Sequence, residues 1–433
     1  MVTRKFQAII LLITLLSIIL FVSIIHPRAQ FIREKMFFSR NNSFSTSESK
    51  FMSMFTKFPW DILSQAIATK ELETIHFCVE KLIQEFTPYV IMEPLVPINS
   101  TCRPPLLRHR LEINCTTGLD SSVRKVGMLI QFGFDVDMLE VHLNELNDVV
   151  DKFFIVESTH THNRFFKKPL IWEAVKHQSR FAKFASKIVH FVVDDAPAIG
   201  EVKSSLNDTN ANFVSENLQE KLRWEKFLEW NNVTNFFSPD DLLGFGDSDE
   251  IASREAVNYL KHCALKSDPI DVGIWFPVGT IYSTMKSNFP VKGYPFTLGD
   301  PSFWTLRSAM SLKTIPRFNL QFPTRNRGMS DDFVLGGMHM THYGYFPFLV
   351  IKRVAASESG YEFLQEFPEF TRTMNSEKLQ TYFSSNMNKM FEAISLESLG
   401  KSETEKFVVL PWFYNCNRDR YPAWEEKPDS RLI

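Results

Sequence analysis

Asp247 and Asp249 stand two residues apart, directly after the apolar run Leu242-Leu243-Gly244-Phe245. In an extended segment, residues i and i+2 project to the same side, so the two carboxylates would be presented together with Ser248 turned away. Hard divalent cations such as Mn2+ and Mg2+ take oxygen ligands. They are commonly held by one or two carboxylates plus the oxygens of a bound diphosphate. The spacing therefore suits a metal that clamps a nucleotide diphosphate, with Gly244 and Gly246 leaving room for a close ligand. It also suits a solvated acidic turn capping the helix that begins near Ser253. Glu157-Ser158 closes an earlier apolar run and would either accept hydrogen bonds from a ribose or base, or simply turn the chain. His160 and His162 have no third ligand beside them and read as surface residues. His339, in a glycine-containing apolar segment, would give a neutral imidazole to a metal, a donor to a diphosphate, or a core hydrogen bond. Asp331-Asp332 just before it offers a general base or a solvated loop.

Elements must end where these residues stand. Val126 to Phe132 is a short apolar run suited to a buried strand. Val136, Leu139, Leu143 and Leu146 then recur at helical spacing. Strands follow at Val149 to Val156, Ile188 to Val193, Leu242 to Phe245 and Val272 to Val278. Helices read at Trp60 to Phe86, Trp172 to Lys183, Phe213 to Trp230 and Ser253 to Lys266. This alternation predicts an α/β fold with a mostly parallel sheet flanked by helices. Ligands of such sheets bind beyond the carboxyl ends of the strands, where the acidic residues would lie.

The 433 residues carry 48 basic and 50 acidic side chains, a net charge of -2 with no massed positive patch, which excludes a nucleic-acid binder. The 41 phenylalanines exclude disorder for most of the chain. Phe6 to Ile25 is apolar enough to cross a bilayer as a helix of about 30 Å. With no small-x-small cleavage site after it, an uncleaved membrane anchor is expected. All five N-x-[ST] sequons, at Asn41, Asn99, Asn114, Asn207 and Asn232, lie beyond it, which points to a lumenal body. Residues 26 to about 50 read as a linker, and the stretch to about Leu119 as a stem. The five cysteines contain no C-x-x-C, so a zinc site is not expected. Cys102 and Cys115 are close enough in sequence to bridge locally, with the pairing left open.

Several segments in order resemble glycosyltransferase family 17. They are Asp137-Met138-Leu139-Glu140, Asn144 to Asp151, Phe154 to Ser158, Lys168-Pro169-Leu170, Pro239-Asp240-Asp241, Asp247 to Ile251, and Gly337 to Thr341 with Lys352 beyond. The resemblance spans roughly Val126 to Ser357. It departs from the family pattern at His142 (usually arginine), Gly246 (aspartate), Ala252 (proline) and Met338 (tryptophan). It implies a GT-A-like fold in a single-pass type II Golgi membrane protein. The parts would be a cytoplasmic tail (1–5), an anchor (6–25), a lumenal linker and stem (26–122), a catalytic domain (123–400) and a C-terminal tail (401–433). The implied reaction moves N-acetylglucosamine from UDP-N-acetylglucosamine to a mannose hydroxyl of an N-glycan, with inversion. Asp247, Asp249 and His339 would then hold Mn2+ or Mg2+, and Glu157, Ser158 and Lys352 would face the nucleotide. The base is unassigned, with Asp331 and Asp332 as candidates. Two other readings stay open: a metal-dependent lumenal phosphohydrolase, and an inactive glycan-binding relative of the transferases.

Overall fold

A strand covered on both faces has no solvent side to alternate with. Val126–Gln131 (β1) is accordingly apolar up to its last residue and buried throughout. The computed structural model describes residues 50–108, 112–163, 165–193, 214–312, 318–319, 324–325, 332–340, 346–356 and 392–425. The expected membrane anchor lies outside them. Among the described residues no helix is long and apolar enough to cross a membrane.

Among the described residues thirteen strands follow in chain order: β1, β2 (Lys152–Ser158), β3 (Ile188–Val193), β4 (Leu242–Asp247), β5 (Glu250–Ala252), β6 (Ile270–Trp275), β7 (Pro277–Val278), β8 (Thr280–Thr284), β9 (Thr297–Thr305), β10 (Phe318–Asn319), β11 (Thr324–Arg325), β12 (Phe333–His339) and β13 (Ile394–Ser395). Eight of them form the main sheet, in the order β3-β2-β1-β4-β9-β6-β12-β5. The first four strands of that order run parallel, as the β-α alternation requires. β12 is parallel to β6, whereas β9 and β5 run against their neighbours, so the sheet is mixed. β9 escaped the sequence reading because Gly299-Asp300-Pro301 looks like a turn.

The helices used below are α1 (Trp60–Thr69), α2 (Leu72–Val90), α3 (Val136–Leu146), α4 (Ile171–Val175), α5 (Ser179–Ala182), α6 (Val214–Thr234), α7 (Arg254–His262), α8 (Phe346–Ala355) and α9 (Trp412–Cys416). Strand periodicity splits the sheet's side chains between two layers. Leu129, Phe154, Leu243 and Phe245 pack with Trp224 and Phe227 of α6. Met128, Ile130, Phe153 and Ile155 face α3 across the other layer. The expected Trp60–Phe86 helix breaks at Lys70, whose φ of 59° is left-handed, into α1 and α2. Their Leu63, Val79 and Phe86 belong to the same apolar core as the sheet, and α2 packs on α8. This part of the expected stem is therefore built into the body. Trp172–Lys183 likewise divides into two short helices, α4 and α5.

α3 was expected to show one apolar face, yet all its residues are buried. The C-terminal segment covers its polar side. Arg420 grips both oxygens of Glu140 at 2.8–3.3 Å, and the Trp412 amide donates to Glu145 at 2.7 Å. The described part of the expected tail is thus a strap over α3. A disulfide, Cys102–Cys416, fastens it, and Cys115–Cys263 ties the segment before β1 to the end of α7. The local Cys102–Cys115 bridge is not formed, because each cysteine reaches a distant element. Cys78 is left as a buried thiol.

Candidate functional site

The acidic segment is a tight β4–β5 turn. Asp247 ends β4, and its amide donates to Glu250 Oε2 at 2.8 Å. The Ser248 amide donates to the Gln131 carbonyl at 3.0 Å. From α3, His142 Nδ1 lies 3.2 Å from the Ser248 carbonyl. A carbonyl can only accept, so this nitrogen carries the proton. Burial pushes the imidazole down to about 4 despite that bond, which keeps it neutral. Its Nε2 has no hydrogen-bond partner among the described residues. The solvated-turn reading does not hold: Asp249 is 4% exposed, and Ser253 alone caps α7 by accepting from the Ala256 amide. Gly244 and Gly246 serve packing instead of a ligand. A Cβ on Gly244 would meet Met128 and Phe303, and one on Gly246 would meet Pro301 and Met128.

His339 reaches this turn through a strand pairing. β12 runs antiparallel to β5 with His339 opposite Glu250, and the Met340 amide donates to the Asp249 carbonyl at 2.7 Å. His339 Nε2 then stands 3.8 Å from Asp249 Oδ2. The approach depends on Gly336 and Gly337, with φ of 143° and 134°. A Cβ on Gly337 would lie 2.3 Å from the Ile251 carbonyl oxygen, so something must move. Gly337→Ala is expected to cost about 2–4 kcal/mol and to displace His339. Chemical denaturation together with metal titration would check both effects.

Lys352 of α8 completes the cluster. Its Nζ lies 2.7 Å from Asp249 Oδ2 and 2.9 Å from Asp135 Oδ1. Burial would drive the ammonium to neutrality, but the two carboxylates outweigh it and raise its pKa. Burial also raises Asp135, against the pull of Lys352 and with the help of Asp249 and Asp247. Asp135 was missed from sequence. The available signal was its position between the end of β1 and the start of α3.

Three sequence candidates are placed elsewhere. Glu157 is buried on the α4 side of β2, where it accepts from the Ile171 and Trp172 amides at 2.7 and 3.0 Å. His190 at 3.0 Å and Lys168 at 3.6 Å complete its surroundings. Its oxygens hold the start of α4, a role that accounts for the buried carboxylate without a nucleotide. Glu157→Gln is expected to cost about 1–3 kcal/mol while leaving nucleotide affinity unchanged, as thermal melts with and without ligand would show. Asp332 precedes β12, at the end opposite His339. Six strand residues lie between them, a separation of roughly 20 Å, which sets it apart from this turn. Asp331 lies outside the described residues. His160 is buried, not at the surface, and its Nδ1 lies 3.0 Å from Thr159 Oγ1. Ser158 does end its strand at the expected edge, and its Oγ accepts from the His160 amide at 2.9 Å.

Among the described residues no three His, Cys, Asp or Glu side chains form a closed metal cage. Asp249 and His339 instead make a two-ligand edge of oxygen and nitrogen. Mn2+ or Mg2+ bound in this way takes its remaining ligands from phosphates and water, so the pair fits an ion that arrives with a diphosphate.

Residues 114–273 match the model of glycosyltransferase family 17. The segment includes Asp135, Asp247 and Asp249, whereas His339 and Lys352 lie beyond it. The β-1,4-mannosyl-glycoprotein 4-β-N-acetylglucosaminyltransferase of Rattus norvegicus is 29% identical over 140 residues, which are 32% of this chain and 23% of that one. The Homo sapiens protein of the same name is 29% identical over 140 residues, 32% of this chain and 24% of its own. The chain thus spans about a quarter of the length of these relatives. A crystal structure of 4-diphosphocytidyl-2C-methyl-D-erythritol synthase shares 12% identity over 45% of this chain and 82% of that one, with a TM-score of 0.24, too slight a likeness to argue from.

Proposed function

We propose that this chain is a GT-A-like glycosyltransferase that moves N-acetylglucosamine from UDP-N-acetylglucosamine to a mannose hydroxyl of an N-glycan, with inversion. The observation that carries the reading is the meeting of Asp249, His339 and Lys352 at the carboxyl end of β4, with Asp135 beside them. Sugar transfer from a nucleotide leaves a diphosphate, so its central demand is positive charge where the leaving oxygens gather. Lys352 supplies a largely buried ammonium there, 17% exposed. Asp249, with His339 and with Asp247 nearby, would hold a Mn2+ or Mg2+ ion, which supplies Lewis acidity to the departing diphosphate. Asp135 and Asp249 hold the ammonium in place. His142 and Glu250 hold the turn that aims Asp249. Burial of the cluster keeps water away from the charges and strengthens their interactions.

A lumenal setting is supported by two disulfides and by exposed sequon asparagines at Asn99, Asn114 and Asn232. With the apolar run Phe6 to Ile25, these favour a type II Golgi membrane protein.

Product analysis with UDP-N-acetylglucosamine and a panel of N-glycans tests the reading. A glycan heavier by one N-acetylhexosamine, with UDP released in equal amount, supports it. Phosphate release without glycan extension would point to the phosphohydrolase. UDP binding without turnover would point to an inactive glycan-binding relative.

A further inference from the structure

Gln131 closes β1 and is 5% exposed. Its Nε2 donates to Gln219 Oε1 of α6 at 2.9 Å. Gln219 Nε2 is itself turned to the His160 carbonyl at 3.4 Å and Ser215 Oγ at 3.2 Å. A backbone carbonyl can only accept, which fixes the sense of the Gln219 amide and, through it, that of Gln131. The relay uses the nitrogen of Gln131 and leaves its Oε1 buried with no hydrogen-bond partner among the described residues. An unpaired buried acceptor is costly, and its place in the fold suggests what it waits for. Gln131 stands in register between Val156 of β2 and Asp247 of β4, where three adjacent parallel strands end. By strand periodicity it shares a face with Ser158 and Asp247.

The two sides of this edge differ in chemistry. Lys352 and His339 gather beyond β4, which suits a diphosphate. Gln131, Gln219, Ser158 and Ser215 lie toward β1 and β2 and offer neutral hydrogen-bonding groups, which suit an uncharged polar ring. The α6 charges beside them, Glu220 and Arg223, are paired with each other, and Arg223 also donates to the Leu129 and Gly246 carbonyls. We propose that Gln131 Oε1 reads the base of the donor nucleotide by accepting the N3–H of uracil, held in its acceptor sense by Gln219 and the His160 carbonyl. The inference rests on the nucleotide-donor reading above and adds the basis of its selectivity. Cytosine carries a lone pair at N3 and would set acceptor against acceptor.

The test measures binding of UDP, CDP and N3-methyl-UDP to the full chain by calorimetry in the presence of Mn2+. Wild-type protein should bind UDP roughly 10- to 100-fold more tightly than either analogue. Gln131→Met should bind all three alike, at the level of the weak analogues. The wild-type comparison stands without the variant should Gln131→Met fail to fold. Equal binding of UDP and N3-methyl-UDP by wild-type protein would overturn the assignment of Gln131 while leaving the transferase reading intact. Failure to bind UDP at all would instead overturn the donor reading and this proposal together.

Discussion

Asp249→Asn is expected to lower kcat/KM for sugar transfer by on the order of 100- to 1000-fold, the scale on which one preorganised charge acts at a developing anion. The substitution keeps the shape of the side chain and removes its charge. Lys352 would keep Asp135 at 2.9 Å as its partner, so the ammonium is not stranded. The main-chain bond from the Met340 amide to the residue 249 carbonyl does not involve the side chain and persists. The stability cost should therefore stay within about 1–3 kcal/mol, and the circular dichroism spectrum should be unchanged. Steady-state kinetics across a Mn2+ titration would separate a weakened ion site, which more metal partly rescues, from a lost catalytic charge, which it does not. A fully active Asp249→Asn protein would remove the metal and diphosphate assignment from this turn.

The largest loss of stability is expected from Arg420→Ala, at about 3–5 kcal/mol. Glu140 is wholly buried, and its carboxylate is met by the Arg420 fork and by Arg180 at 3.3 Å, which also serves Asp137 at 2.8 Å. Removing Arg420 leaves a buried anion with half its compensation and takes away one of the ties between the strap and α3, the Trp412–Glu145 bond remaining. Arg420→Lys should recover only part of the loss, because an ammonium cannot reproduce the two-pronged contact. The double variant Glu140→Leu with Arg420→Met should be less destabilised than Arg420→Ala alone, since no charge is then left unpaired. Denaturant titrations of the set would decide the matter. Equal stability of wild type and Arg420→Ala would show the ion pair to be dispensable.

Local pattern revealed much of the scaffold. The apolar spacing of Val136, Leu139, Leu143 and Leu146 located α3, and the Leu242–Phe245 run placed Asp247 at a strand end. Long-range pairing was hidden. Nothing in the residues around His339 says that β12 will lie antiparallel to β5, and it is this ladder that joins the histidine to Asp249. Lys352 was found through resemblance alone, and its partner Asp135 was not found. Glu157 was ambiguous because a carboxylate at a strand end looks the same whether it awaits a ligand or a helix start. The strap over α3 was unreadable because a polar helix face gives no warning that arginine from the far end of the chain will cover it.

β5 is only three residues long and forms the outermost strand of the main sheet. Such margins fray more easily than the centre, with opening energies well below that of complete unfolding. The charge cluster is therefore mounted on one of the least secure parts of a robust frame. On heating, amide protons of Ile251 and Ala252 should exchange with solvent before those of β1, and catalysis should fade while the bulk of the fold still stands.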